Sequence, residues 1–483
     1  MGEGSQPSRG PGGPKASTPT AVVLPLTDPN LHSPLRLFAF SLSAALLFLR
    51  ISMLHQIQTR LMGANLRLLY LVGLPALLGL LLAGGIPRSF RGRPAYYYTG
   101  YAIWITIAVP FSSWRGGSAM LLWSFLRTDV VMLFMIAGIA LTWKECKILM
   151  GAVAWGAVVN LLSARLFAAD LGGYREGLQF GSISNPNDFA GHLLLALPFL
   201  LWVALKSEKV WVRAAALLGV CWGLKLILAT ASRGALVGLA LDGIYFLWRG
   251  TMRQRVGFLL LVPVGIAAAL AVLPQETLSR LMAFRQESGV ETPEQQEALE
   301  SSQAREYVLR QSLKYMFTHP LFGVGPGQFS SYEGEHNVVI GTHGYWHDTH
   351  NTFTQAGSEC GIPALLLLVA GIVATFQLLH KTYVATAGRA DCQDLRTAAF
   401  CMTLALVGFV TAITFLNFAY FFYLPAMGGF AILLYNSAQT EMRERSSPGM
   451  TIEPPYSHFR APIYRAPTTN PSIPPTTGAL RSL

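Results

Sequence analysis

Four histidines lie in one polar stretch of the sequence, and the last of them is placed to act as a base. The stretch contains His336, His343, His347 and His350. An apolar run follows His350, so a helix is predicted to begin near this residue, at the boundary between water and an apolar medium. A neutral imidazole there could accept a proton from a hydroxyl group, and it would lose this ability as the pH falls through its reference pKa of about 6.5. The alternative is a surface histidine that caps the helix.

The small residues after His350 predict that this helix packs closely against a neighbour. Thr354, Gly357 and Gly361 follow at helical spacing, and small side chains on one face let two helices approach. A zinc site built from the nearby His343, His347 and Asp348 is the other chemistry that this stretch could carry. Because the segment reads as loop and lacks the HExxH pattern, no metal and no cofactor is predicted.

Arg233 is the first of two arginines that could hold an anion. It lies in Ser232-Arg233-Gly234, between two apolar runs with almost no loop. Arg233 would therefore stand at the N-terminus of a helix, where backbone amides and the helix dipole attract negative charge. A cation at a helix N-terminus suits a diphosphate at a membrane surface. The alternative is an arginine that only extends to the lipid headgroups.

Arg305 lies on a helix that is predicted within the longest polar segment. The sequence Thr292-Pro293-Glu294-Gln295 is a helix start with a capping box, and the helix is predicted to run to about Phe317. Its apolar stripe consists of Leu309, Leu313 and Met316. Arg305 extends this stripe by one turn, whereas Arg310 lies near the opposite face. A cation on an apolar stripe needs an anion, which is either a bound substrate or a neighbouring glutamate.

Two turn motifs accompany these residues. Asn185-Pro186-Asn187-Asp188 precedes an apolar run, so Asn187 or Asp188 is predicted to cap a helix. Asn185 and Asn187 are also candidate contacts to sugar hydroxyls or phosphate, as are Arg175, Arg310 and His347. The run Gly323-Val324-Gly325-Pro326-Gly327 lacks a dinucleotide fingerprint and is predicted to be a turn that approaches another segment closely.

The composition shows which class of protein must position these residues. Of the 483 residues, 52% are hydrophobic and only 13% are charged. This excludes an ordinary soluble enzyme and a disordered chain. The net charge of +11 fits lysine- and arginine-rich cytoplasmic loops of a membrane protein better than nucleic-acid binding. The five cysteines form no CxxC pair, so neither a disulfide framework nor a metal knuckle is predicted.

Twelve apolar runs are long enough to suggest membrane spans, so the predicted fold is an all-α, polytopic transmembrane bundle. The runs are 35–53, 66–85, 95–112, 119–142, 148–167, 189–205, 210–230, 234–248, 256–273, 361–380, 397–414 and 417–436. One alternating set of short loops carries fourteen lysines and arginines and the other set carries five. The first set, with both termini, is therefore predicted to be cytoplasmic.

The chain is accordingly divided into five segments. Residues 1–34 are a disordered cytoplasmic N-terminus, 35–273 hold helices one to nine, 274–357 form a large periplasmic loop subdomain, 358–436 hold helices ten to twelve, and 437–483 are a disordered, proline-rich cytoplasmic tail. Most of the polar motifs fall on the predicted periplasmic side, so the functional site is expected there.

Four stretches in this order resemble the O-antigen ligase and polymerase family of bacterial membrane glycosyltransferases. They are Phe180-Gly181-Ser182-Ile183-Ser184-Asn185-Pro186-Asn187, Thr230-Ala231-Ser232-Arg233-Gly234-Ala235-Leu236, His319-Pro320-Leu321-Phe322-Gly323-Val324-Gly325, and His350-Asn351 followed by Glu359-Cys360-Gly361-Ile362. The resemblance covers about 175–380. The histidines before His350 and the residues around 285–300 depart from it.

The resemblance implies an inner-membrane enzyme with no metal or other cofactor, which would remain active in chelators. Its donor would be a glycan on undecaprenyl diphosphate at the periplasmic face, and its acceptor lipid A-core, a growing glycan or a protein. By motif match, Arg233 and Arg305 would hold the diphosphate and His350 would activate the acceptor, with inversion at the sugar. A polysaccharide polymerase, a protein O-oligosaccharyltransferase, a flippase for lipid-linked sugar and an inactive scaffold remain alternatives.

Overall fold

The computed structural model describes residues 30–167, 175–178, 181–183, 185–282, 293–336 and 346–446, and this part of the chain contains no β-strand. Its α-helices are, in chain order, α1 (Pro34–Ser52), α2 (Leu54–Met62), α3 (Leu68–Leu82), α4 (Gly85–Ser89), α5 (Arg93–Ala108), α6 (Arg115–Phe125), α7 (Val131–Ile139), α8 (Trp143–Leu166), α9 (Pro186–Lys206), α10 (Val210–Ala229), α11 (Arg233–Arg249), α12 (Met252–Val272), α13 (Gln275–Met282), α14 (Pro293–Thr318), α15 (Phe329–His336), α16 (Thr352–Cys360), α17 (Ile362–Ala385), α18 (Gln393–Ala412) and α19 (Tyr423–Ser446). The predicted all-α fold is confirmed.

Each of the twelve predicted apolar runs lies on a helix, although not every helix is long and apolar enough to cross a membrane by itself. Eight segments of the described chain pass that test of length and composition, and α3 is a shorter apolar helix. The span predicted at 119–142 consists of α6 and α7, joined by a π-helical segment, Leu126–Val130. The chain is thus a multi-pass membrane protein, and the number of its spans is not fixed by helix length alone.

Burial separates a central group of helices from a peripheral one. In α9, which packs against α8, α10 and α18, 78% of the apolar window is buried inside the protein. In α12 none of the corresponding window is buried. An apolar helix that leaves its side chains outside the protein is suited to lipid rather than water. The centre of the bundle therefore carries the fold, and α12 stands at its edge.

One continuous helix was predicted to begin at His350 and to run into the span at 361–380. The structure has two helices there instead, α16 and α17, and the first begins at Thr352. Asn351 is the cap, because its side chain accepts the backbone amides of Phe353 and Thr354. His350 lies outside the helix, with a left-handed φ of 49°. A second break follows at Gly361, where φ is 85° and an added Cβ would lie 2.1 Å from the carbonyl oxygen of Leu321.

The long helix of the predicted periplasmic loop is present, but it buries a different face. The prediction ran to about Phe317, and α14 ends at Thr318. Leu313, which belongs to the predicted apolar stripe, is 36% exposed, whereas Val308 and Ser312 are fully buried. Met316 of the predicted stripe is buried, so the buried face of α14, which packs on α16, overlaps the prediction only in part. Thr292 lies outside the described residues.

The end of the bundle that is predicted to be cytoplasmic is fixed by ion pairs. Arg36 at the start of α1 pairs with Glu145 at the start of α8 at 2.8 Å, and both are buried. Arg445 near the end of α19 pairs with Asp394 of α18 at 3.1 Å. The second pair helps α19 continue to Ser446, ten residues past its predicted end at 436. The segments predicted to be disordered were 1–34 and 437–483. Residues 437–446 belong to α19, which differs from this prediction, while 1–29 and 447–483 lie outside the described residues.

Candidate active site at one end of the bundle

A tight turn between α10 and α11 presents the start of α11. The backbone of Ala231 turns with a left-handed φ of 51°, and the Ser232 amide donates to the Thr230 hydroxyl at 3.3 Å. Ser232 is the N-cap residue, yet its side chain makes no capping hydrogen bond. The first amides of α11 are thus not satisfied by their cap, and the positive end of the helix dipole adds to the charge of Arg233.

Arg175 and Asn185 hold this turn against the start of α9. Arg175 donates from Nε to the carbonyl of Thr230 at 2.9 Å and from Nη2 to Oδ1 of Asn187 at 3.1 Å. The side chain of Asn185 accepts the amide of Asn187 at 2.9 Å and caps α9. The prediction that Asn187 or Asp188 would be the cap is therefore wrong, because Pro186 occupies the first turn and shifts the cap back to Asn185.

The start of α11 and the middle of α14 meet at one crevice. Its polar wall is formed by Asn187, Ser232 and Arg305, and its apolar wall includes Phe415. The crevice is narrow and open to solvent, with about 210 Å³ between its walls when the adjoining solvent is included. An added Cβ at Gly234 would lie 2.8 Å from the Phe415 ring, so glycine is needed for this approach. The crevice therefore brings Arg305 and the start of α11 to one surface and does not enclose a ligand-sized cavity.

His350 lies beside the crevice, on backbone that is anchored to the connection between α18 and α19. Thr349 donates to the side chain of Asn417 at 3.0 Å, and Thr352 donates to the carbonyl of Leu416, a crevice residue, at 2.7 Å. No described residue forms a hydrogen bond with the His350 ring. Burial, and then the positive charge of Arg305, lower the pKa of His350 to about 4. The imidazole is therefore neutral at neutral pH and can accept a proton.

The helix that carries Arg305, α14, packs closely on α16, the helix that follows His350. An added Cβ at Gly357 would lie 2.4 Å from Sδ of Met316, so α14 uses this glycine to approach α16. The prediction of a close helix contact at Gly357 is therefore supported, although the partner helix comes from the long loop itself.

Asp188, which the prediction treated only as a cap, lies close enough to Arg305 for their charges to interact.

Glu359 is a buried carboxylate whose contacts could not be assigned from the sequence. It accepts the amide of Gly327 at 2.9 Å and the hydroxyl of Tyr420 at 2.7 Å. Burial raises its pKa to about 7. The Gly325 amide also donates to the Glu359 carbonyl at 2.9 Å, so the predicted glycine turn is indeed a close approach to another segment. An acid directly before an apolar run indicated burial, but nothing in the sequence identified its partners.

Of the predicted site residues, only Asn187 and Arg305 line the crevice. The others lie outside its lining: Arg175, Asn185, Arg233, Arg310, His347 and His350. Arg310 is exposed and pairs with Glu306 one turn earlier at 2.5 Å. His347 is exposed, and its charge influences His350. His343 lies outside the described residues. Within the described ranges, no cluster of three or more histidine, cysteine or acidic residues could hold a metal ion.

A second polar cluster, inside the bundle, was not predicted at all. Asn160 of α8 donates from Nδ2 to the carbonyl of Ile51 at 2.7 Å and lies 2.6 Å from Nε2 of His192. Nδ1 of His192 lies 2.9 Å from the hydroxyl of Tyr423. Asn160 and His192 are fully buried. This cluster satisfies a carbonyl in the last turn of α1 and joins it to α8, α9 and α19.

Comparison with known proteins gives one family match within this chain. Residues 218–369, roughly a third of the chain, match the family model of O-antigen ligases. The match includes Arg233, Arg305 and His350, and it begins after the Asn185 turn. No curated protein matches the chain. The family match supports a membrane glycosyltransferase of the O-antigen ligase or polymerase type. The predicted resemblance is thereby confirmed over residues 218–369, which match the O-antigen ligase family model within a multi-pass membrane protein.

Proposed function

We propose that this protein transfers a glycan from an undecaprenyl-diphosphate carrier to an acceptor hydroxyl at the periplasmic face of the bacterial inner membrane, as an O-antigen ligase does. The observation that carries the proposal is the meeting of the α11 N-terminus and Arg305 at one crevice, beside His350. These elements are distant in the sequence, and together they supply an anion site and a neutral base. The excess of cations in the opposite loops supports the periplasmic orientation.

The donor diphosphate would bind at the crevice. Arg305 and the amides at the start of α11 supply positive charge, with Arg233 at the first position of that helix. The phosphate groups would lie at the mouth of the crevice, the glycan would lie outside it, and the polyprenyl chain would extend into lipid. When the bond between the sugar and the diphosphate breaks, negative charge grows on the bridging oxygen. Preorganised cations at a poorly hydrated boundary stabilise that charge.

His350 would act on the opposite side of the sugar. The acceptor oxygen attacks the anomeric carbon, its proton moves to a ring nitrogen of His350, and the electron pair of the breaking bond leaves with the diphosphate. The configuration at the anomeric carbon is inverted because attack and departure occur on opposite faces. The step needs no charged cofactor, because arginine stabilises the negative charge of the leaving diphosphate and the imidazole takes the proton of the acceptor.

The test is glycan transfer by the purified full-length protein with a synthetic polyprenyl-diphosphate donor. Arg305→Ala should lower kcat/KM by roughly 10²-fold, the usual cost of losing one preorganised donor. Arg305→Lys should recover only part of the loss, because lysine keeps the charge but lacks the planar fork. Arg310→Ala is the matched control, since Arg310 lies on the same helix and faces outward. Full activity of Arg305→Ala would overturn the assignment of the donor site.

A further inference from the structure

The opposite end of the bundle carries a cluster of cations around one buried tyrosine. Arg249 ends α11 and its guanidinium lies 5.3 Å from the centre of the Tyr383 ring. Arg396, in the first turns of α18, lies 4.0 Å from the centre of the same ring. Tyr383 is only 9% exposed. Two cations thus lie against one aromatic side chain, so an anion that reached both would lower the repulsion between them.

Neither arginine has a carboxylate partner among the described residues. Arg249 contacts His380 at 3.3 Å, and its Nε atom is buried without a hydrogen-bond acceptor in that part of the chain. Arg396 donates to the backbone carbonyl of Tyr383 at 3.1 Å. The neighbouring Arg389, by contrast, pairs with Asp391 at 2.7 Å. In the described part of the chain, some cations at this end of the bundle are therefore paired with carboxylates, whereas Arg249 and Arg396 are not.

More cations and an apolar surface adjoin the cluster. We refer to six residues at this end of the bundle as the basic corner: Arg249, Arg253, Arg255, His380, Lys381 and Arg396. Trp248 is 66% exposed beside it, and the Arg249 guanidinium lies 4.2 Å from the centre of a Trp248 ring. The apolar helix α12 begins next to the corner and leaves its whole apolar window outside the protein. An exposed tryptophan between cations and an apolar helix is typical of the level of lipid headgroups.

We propose that the basic corner binds the phosphate of an anionic phospholipid in the adjacent leaflet. Each guanidinium offers paired N–H donors that match phosphate oxygens, and a phosphate between Arg249 and Arg396 would neutralise their repulsion. A lipid fits better than free phosphate, because Trp248 and α12 offer apolar surface to acyl chains. Basic pockets between helices bind phospholipid headgroups in this way. The site is remote from the crevice and does not depend on the proposed transfer reaction.

Thermal unfolding of the full-length protein in neutral detergent tests the proposal. Added phosphatidylglycerol or cardiolipin should raise the unfolding midpoint of the wild type by roughly 2–5 °C more than phosphatidylcholine does, because a ligand that binds the folded state stabilises it. In the double variant Arg249→Gln, Arg396→Gln this difference should vanish. Arg213→Gln is the matched control, since Arg213 is an exposed cation at the same predicted face, and this variant should keep the full difference.

Three outcomes would overturn the proposal. The first is equal stabilisation of the wild type by the anionic lipids and by phosphatidylcholine. The second is an undiminished difference in the double variant. The third is an equal effect of inorganic phosphate at millimolar concentration, which would show an anion site that is not specific for lipid. If the double variant does not fold, native mass spectrometry of the wild type decides: retained anionic phospholipid supports the site, and its absence refutes it.

Discussion

Two histidines of this protein stand in contrasting surroundings, one inside the bundle and one at its end. His192 is fully buried, and both of its ring nitrogens face hydrogen-bonding partners, Asn160 and Tyr423. His350 is half-buried on left-handed backbone, and no described residue hydrogen-bonds to its ring. Both are imidazoles within an apolar protein. Only the second lies beside a crevice lined by an arginine.

The difference in hydrogen bonding distinguishes a histidine that supports the fold from one that is free to act as a base. Nδ2 of Asn160 must be the nitrogen, because it faces the carbonyl of Ile51, so Nε2 of His192 accepts and Nδ1 donates to Tyr423. A ring whose donor and acceptor are both used cannot take a proton from a substrate without breaking a buried bond. His350 keeps its acceptor for that purpose. A non-glycine residue with positive φ also occurs more often where function demands the position.

The largest expected effect comes from His350. His350→Ala should lower turnover by roughly 10² to 10⁴-fold, the usual contribution of a positioned general base. Donor binding should persist, because the cations of the crevice remain. The assay is single-turnover glycan transfer alongside a donor-binding measurement, with His347→Ala as the control on the exposed neighbouring position. Normal turnover in His350→Ala together with inactive His347→Ala would show that the wrong histidine was assigned.

His192 should affect stability instead of turnover. His192→Ala leaves Tyr423 and Asn160 without their shared partner, so the free energy of unfolding should fall by about 1–3 kcal/mol. Tyr423→Phe, which removes one of the two bonds, should cost less. Thermal unfolding in detergent measures the loss, and transfer rates are corrected for the folded fraction. If His192→Ala kept its stability and lost transfer, the interior cluster would belong to the chemistry and the contrast would fail.

The smallest expected effect is a shift in pH dependence. The pKa of His350 is lowered to about 4 by burial and then by Arg305, so the fall in kcat/KM expected at pH 6.5 from the sequence should occur near pH 4. Bound diphosphate offsets the charge of Arg305 and favours the imidazolium, so the acid limb of kcat should lie at a higher pH than that of kcat/KM. A pH–rate series on wild type and Arg305→Lys measures both limbs. Coincident limbs in the wild type would argue against a diphosphate beside His350.

The positions of the candidate site residues on their helices were partly predicted from the sequence, and their roles remain predictions. Arg233 was expected at a helix start and Arg305 on the loop helix, and both expectations agree with the structure. The burial of Val308 in place of Leu313 was not foreseen, because an apolar stripe does not show which neighbour a helix meets. The start of α16 was misplaced because a single side chain, Asn351, decides it.

The sequence by itself determined the class of fold and the family resemblance. A 20-residue apolar run in a chain with 13% charged residues leaves the backbone no alternative to a helix, since lipid offers no hydrogen bonds. Caps and turns follow from local side chains, which is why α14 and the glycine turn at 323–327 could be predicted.

The tertiary structure alone decided which polar groups meet. The pairing of Glu359 with Tyr420, the joining of α1 to α9 through Asn160, and the meeting of Arg305 with the α11 N-terminus each connect segments far apart in the chain. Such contacts depend on helix positions that side-chain packing across the bundle sets. The pKa of His350 depends on them too, because it reflects the burial of the ring and a charge brought in by another helix.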